Sequence, residues 1–151
     1  MPGTVPNKLV EDVALDVWEI TRIVWSKAQR TRPEGQYDLS ETEFLTLDAL
    51  DRNTCLTVGQ LQRTIKVLPA QMSRIIKSLE TKYDRPLIAC AINQEDKRKV
   101  DVQLTGEGAQ AVEAFRRAQV DFNVDAIKSL SDDDVTELSR IVKSIRRAME
   151  E

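Results

Sequence analysis

The chain has 151 residues, 41% hydrophobic and 31% charged, enough for one domain with a sizeable core and ordinary for a soluble globular protein. It holds no histidine and only two cysteines, Cys55 and Cys90, which excludes Ser-His and Cys-His nucleophilic chemistry and a thiolate-rich zinc site, and suits a reducing compartment. The formal net charge is −3, but Thr57 to Leu104 carries nine basic residues against five acidic ones, a net of +4 that leaves −7 for the remainder.

Taken in chain order, Leu9, Val13, Val17, Ile20 and Val24 recur at helical spacing and predict a first helix from about Lys8 to Arg30, closed by Arg32-Pro33-Glu34-Gly35. Trp18 and Trp25 lie off that stripe, so this helix is apolar over more than one face and needs burial on more than one side. Ser40 with Glu43 three residues on has the pattern of a capping box, opening a short helix with Phe44, Leu47 and Leu50 on one face and its end near Asn53. Thr57 caps a third helix whose Val58, Leu61 and Ile65 point inward. Only Lys66-Val67-Leu68 separates it from a fourth helix starting at Pro69.

In the fourth helix Met72, Ile75, Ile76 and Leu79 face the core, which leaves Gln71, Arg74, Lys77 and Ser78 on the opposite face with Ser73 beside them. Leu87 to Ile92 and the alternating Val100, Val102 and Leu104 predict a β-hairpin around the charged tip Asn93 to Lys99. Thr105 caps a fifth helix from about Gly106 to Ser129. Ser131 and Asp134 open a sixth, on which Val135, Leu138, Ile141, Val142 and Ile145 form an apolar stripe in need of a partner helix.

No Walker-type or Gly-x-Gly phosphate loop occurs, so the expectation is a non-enzymatic protein with no catalytic residue, metal or cofactor. No window approaches the ~18 apolar residues of a membrane span, and Met1 to Lys8 lacks a signal pattern, so a cytoplasmic location without a membrane partner is expected. A basic module within an acidic body is the charge layout of a DNA reader.

Helix, tight turn, helix and cationic hairpin follow one another as in a winged helix-turn-helix. The residues themselves resemble the MarR family of bacterial transcriptional regulators. Leu39-Ser40-Glu41-Thr42-Glu43-Phe44 is similar to the opening of its second helix and Leu56-Thr57-Val58-Gly59-Gln60-Leu61 to its third. Pro69-Ala70-Gln71-Met72-Ser73-Arg74-Ile75-Ile76-Lys77-Ser78-Leu79-Glu80 resembles its recognition helix. Asn93-Gln94-Glu95-Asp96-Lys97-Arg98-Lys99, then Val102-Gln103-Leu104-Thr105-Gly106-Glu107-Gly108, resembles its wing and the exit into the dimerisation helix.

The resemblance implies a mainly α fold with a small β-hairpin wing: a single domain over 1–151 with a DNA-binding lobe at 40–105 and dimerisation helices at 8–30 and 106–150. It implies a homodimeric repressor of double-stranded DNA on a pseudo-palindromic operator. Gln71, Ser73 and Arg74, with Lys77 and Ser78 on the same helix, would meet the major groove, where an arginine can grip guanine O6 and N7 together. Thr57, Gln60 and Lys77 suit phosphates. Arg98 matches the family's minor-groove arginine, with Asp96 placed to orient it and Lys97 and Lys99 adding attraction to the backbone.

Leu9, Val13 and Val17 are expected to meet Leu138, Ile141, Val142 and Ile145 of a second copy. A small apolar or aromatic effector is a further partner the resemblance implies. Trp18, Trp25, Tyr37 and Phe115 are aromatic candidates for its pocket, set against a plain core role. Cys55 and Cys90 are redox candidates, set against a role as small fillers, and the apolar run around Cys90 should raise its thiol pKa.

The chain also departs from the family. Lys66 stands where a turn glycine is usual and must either turn left-handed or alter the turn. Gln62 replaces a small residue, Tyr83-Asp84-Arg85-Pro86 lengthens a short link, and Cys90 replaces a frequent arginine. These departures define the alternative, a winged-helix protein-interaction module that has lost DNA binding.

Overall fold

The computed structural model describes residues 5–28 and 37–151. The elements run α1 (Asn7–Ala28), α2 (Glu41–Arg52), β1 (Leu56–Thr57), α3 (Val58–Ile65), α4 (Pro69–Thr81), β2 (Ile88–Ile92), β3 (Val100–Leu104), α5 (Gly106–Ile127) and α6 (Asp132–Glu150). The mainly helical fold with a small antiparallel sheet is the one the pattern predicts. The expected close of the first helix at Arg32-Pro33-Glu34-Gly35 lies outside the described residues. The chain divides into two compact units, Met1–Arg32 with Ala118–Glu151, and Pro33–Arg117.

In the unit Pro33–Arg117, apolar residues at helical spacing converge on one core. Leu47, Leu61, Met72, Leu79, Leu87 and Val102 are fully buried. Polar caps end the helices where the sequence places them. The Ser40 hydroxyl accepts from Glu43 N at 3.2 Å. A complete capping box joins Thr57 and Gln60, with Gln60 N donating to Thr57 Oγ1 and Thr57 N to Gln60 Oε1. Each such cap satisfies amide hydrogens that the first helical turn leaves without a partner.

The box expected at Ser40 is only half formed. Glu43 does not reach back to Ser40; it is buried, with Lys82 Nζ 3.6 Å from its Oε1. Lys82 also donates to the Asp38 carbonyl, as does the Tyr83 hydroxyl, so the carboxylate ties the start of α2 to the end of α4. Ile76, expected in the core, is half-buried beside Ile75.

The sheet order is β1-β3-β2, all antiparallel, with Leu56 and Cys90 both opposite Val102. The two-residue β1 has no counterpart in the sequence pattern, because a strand that short shows no alternation and runs directly into the cap of α3. At the far edge, Gly108 sits where an added Cβ would lie 1.9 Å from the Leu87 carbonyl oxygen. Only a glycine lets α5 start this close to the base of the hairpin.

Lys66 resolves the choice its position posed: it is left-handed, φ 56° and ψ 53°, and its N–H donates to Gln62 O. The helix-turn-helix therefore keeps the turn that glycine would make, at a cost of about 1–2 kcal/mol for a residue with a Cβ.

The other unit is built differently. Among its described residues only Val24 is buried, and α6 buries nothing. Its helices are held in part by local ion pairs, Arg22 with Glu19 and Arg140 with Glu137, and by a Ser131 cap on Asp134 N. No described helix is long and apolar enough to cross a membrane.

Candidate nucleic-acid interface

Burial of Met72, Ile75 and Leu79 fixes the rotation of α4, and Gln71, Ser73, Arg74 and Lys77 are exposed as a result, with Ser78 half-buried. Ser73 is not wholly free, because its hydroxyl donates to the Pro69 carbonyl at 3.1 Å. Gln71, Arg74 and Lys77 form the open part of this face.

The hairpin tip is organised by one residue whose role is not legible in the sequence. Asn93 Oδ1 accepts from Glu95 N and Asp96 N, and its Nδ2 donates to Asp101 Oδ1. Asn93 N donates to the Lys99 carbonyl, and Lys99 N to the Asp96 carbonyl, which closes a turn over Lys97 and Arg98. The expected pair is present. Arg98 Nε lies 3.1 Å from Asp96 Oδ1 and its Nη2 3.3 Å from Oδ2, while Arg98 N also donates to Oδ1. These bonds hold the Asp96 carboxyl below its ordinary range. The Arg98 side chain is 91% exposed, so the pair orients the guanidinium while contributing little stability.

Between the hairpin and α3 lies an open groove of about 480 Å³ lined by Thr57, Gly59, Gln60, Arg63, Arg98 and Lys99. Thr57 and Gln60 sit here, as their expected phosphate role needs, although each spends one oxygen on the capping box. Arg63 is a cation that the sequence pattern does not single out, because its helical position marks it only as a polar face residue. Among the described residues Arg63, Arg74, Lys77, Lys97 and Lys99 form no ion pair, whereas Arg52 and Arg116 are paired to Asp48, and Arg116 to Asp51 as well. Within the unit Pro33–Arg117, five of the cations without an ion pair thus lie on α3, α4 and the hairpin.

Of the remaining candidates, Trp18 is exposed, as are Cys55 and Cys90, which therefore do not act as core fillers. Phe115 stacks on Phe44 with centroids 4.2 Å apart. Tyr37 meets Tyr83 edge-on and donates to Glu107, which pushes the Tyr37 hydroxyl up to about 12. Both cysteines are free. Desolvation and a hydrogen bond to Glu80 Oε1, 3.3 Å away, push the Cys90 thiol up to about 11. It is held in its unreactive form.

A helix-turn-helix followed by a basic hairpin that pairs back onto the strand preceding α3 defines a winged helix-turn-helix protein. Residues 39–100 match the model of the MarR family. No curated protein sequence matches the chain. Among solved structures, a MarR family protein from Bacillus stearothermophilus superposes with a TM-score of 0.80 at 16% identity, covering 98% of this chain and 100% of the other. A mutant of MarR from E. coli is 25% identical, with a TM-score of 0.64 over 84% of this chain and 93% of its own. A MepR mutant from S. aureus, bound to an oligodeoxyribonucleotide, matches at 19% identity and a TM-score of 0.65, covering 91% and 97%.

Proposed function

We propose that this protein is a sequence-specific double-stranded DNA-binding regulator that represses transcription as a homodimer on a pseudo-palindromic operator. The carrying observation is that, among the described residues, Arg63, Arg74, Lys77, Lys97 and Lys99 stand on α3, α4 and the hairpin without an ion pair, in a chain whose net charge is negative. Gln71 and Arg74 read base edges, Lys77 and the groove at Thr57, Gln60 and Arg63 hold phosphates, and Arg98 enters the minor groove.

In this reading residues 40–105 form the DNA-binding lobe, while 8–30 and 106–150 carry dimerisation, with the start of α5 also packing into the lobe. The exposed Leu9, Val13, Val17, Ile141, Val142 and Ile145, with the half-buried Leu138, meet their counterparts on the second copy, setting two recognition helices ~34 Å apart, one duplex turn. A small apolar or aromatic effector acts by favouring one spacing of those helices over another. The high thiol pKa of Cys90 speaks against a redox switch at that residue.

The test is selection of duplexes from a random-sequence pool by the full chain, followed by a salt titration with Arg98→Ala. The expected product is an inverted repeat with half-sites one turn apart, bound more weakly by the variant. The variant's log–log salt slope should be shallower by about 0.9 for each phosphate it no longer neutralises. A protein-interaction module would instead bind duplex no better than an acidic control protein does.

A further inference from the structure

The start of α4 is built against ordinary capping chemistry. An N-cap position favours Ser, Thr, Asp or Asn, whose oxygen accepts an amide hydrogen of the first turn, and leucine is among the poorest choices there. Here the N-cap is Leu68, and it supplies no side-chain hydrogen bond. Among the described residues, the helices with a side-chain cap bond use Ser40, Thr57, Thr105 or Ser131. Leu68 gains nothing from burial either: it is 73% exposed, in a unit where Leu47, Leu61, Leu79 and Leu87 are fully buried. A residue that forgoes a cap and leaves its apolar side chain in water makes no contribution to folding that a serine would not exceed.

We infer that Leu68 is a specificity-determining residue that packs against the C5-methyl group of a thymine in the major groove. This rests on the DNA-reading assignment of α4 made above. Leu68 stands at the same end of the helix as Gln71 and Arg74, next to the exposed Pro69 and Ala70. Of the groups the four base pairs present in the major groove, the thymine methyl is the apolar one, and apolar side chains are its partners. A phosphate or a hydrogen-bonding base edge would gain nothing from leucine. Gln71 and Arg74 read polar edges while Leu68 adds a requirement for a methyl group beside them.

Deoxyuridine in place of thymine removes the methyl and leaves base pairing intact, which makes the inference directly measurable. In the duplex selected by the full chain, each thymine is replaced singly by deoxyuridine in both half-sites, and affinity is measured for the wild type, Leu68→Ser and Leu68→Ala. The wild type should lose about fourfold per half-site at one thymine, the effect of exposing one buried methyl group. Both variants should be indifferent at that thymine while keeping the wild-type preferences elsewhere. Leu68→Ser, which restores a capping oxygen, should melt no lower than the wild type, so weaker binding cannot be put down to misfolding. The inference is overturned if no thymine separates wild type from variants, or if the substitutions change the oligomeric state instead. If the wild type selects no duplex at all, the DNA-reading assignment falls and takes Leu68 with it; a selected duplex without the methyl effect removes Leu68 alone.

Discussion

The unit Pro33–Arg117 buries most of its apolar side chains, while the unit formed by α1, α6 and the later part of α5 leaves most of its own exposed. In the first, residues from every helix and from β2 and β3 enter a common core. In the second, Val13, Trp18, Ile20 and Val142 are each half exposed or more, and Val24 alone is buried among the described residues. A segment that folds for its own sake spends apolar residues on its interior. Helices that display them on several sides are complete only against further protein. In the proposed function these two surfaces have different partners, DNA for the cations of the first unit and a second copy of the chain for the apolar surface of the second.

The comparison is broken most severely by charging the second unit. Ile141→Glu combined with Ile145→Glu should leave the helical circular dichroism unchanged, since neither side chain is buried, yet convert the protein to a monomer in sedimentation velocity. Loss of the linked second half-site should then weaken binding to the selected duplex by about 100-fold or more. An unchanged dimer would remove α6 from the interface.

Within the first unit, Gly108→Ala forces a methyl against the Leu87 backbone, which cannot yield as a flexible side chain would. Its expected cost is about 1–3 kcal/mol, read as a lower urea midpoint. A smaller effect belongs to Arg116, whose guanidinium spans Asp48 at 2.8 Å and Asp51 at 3.0 Å. Burial alone would raise the Asp48 carboxyl, but hydrogen bonds from Arg116 and Arg52 outweigh it and hold it below its ordinary value. A depressed carboxylate contributes stability above its unfolded pKa and loses it as the pH falls through the folded one. Arg116→Gln should therefore be less stable than the wild type by about 1 kcal/mol or less at pH 6. The two urea midpoints should converge as the pH is lowered below about 4.

The smallest change is expected at the turn. Lys66→Gly relieves a left-handed Cβ but adds freedom to the unfolded chain, so the net gain in denaturant stability should be roughly 0.5 kcal/mol.

How much of this is legible in the sequence depends on the kind of signal. Periodicity places the six helices and the hairpin, because Met72, Ile75 and Leu79 or Val100, Val102 and Leu104 each repeat with the period of their element. The polar face of α4 follows from the same spacing. Side-chain partnerships over long sequence distances carry no such period: Glu43 with Lys82, Arg116 with Asp48 and Cys90 with Glu80 depend on how the elements meet. Arg63 escapes notice for a related reason, since only the fold brings α3 alongside the hairpin tip. Ser73 lies on the helix face its spacing predicts, but a hydroxyl can turn back onto its own backbone, which sequence spacing does not reveal.

Asn93 gives the hairpin one last property. Its amide bonds to Glu95, Asp96 and Asp101 within a single chain, so the turn bearing Arg98 closes without help from a partner. On the proposed function, the disorder surrendered in closing that loop is lost when the protein folds, and less of it at each encounter with a duplex. A hairpin lacking the asparagine amide would carry the same charge yet have to be frozen anew on every binding event.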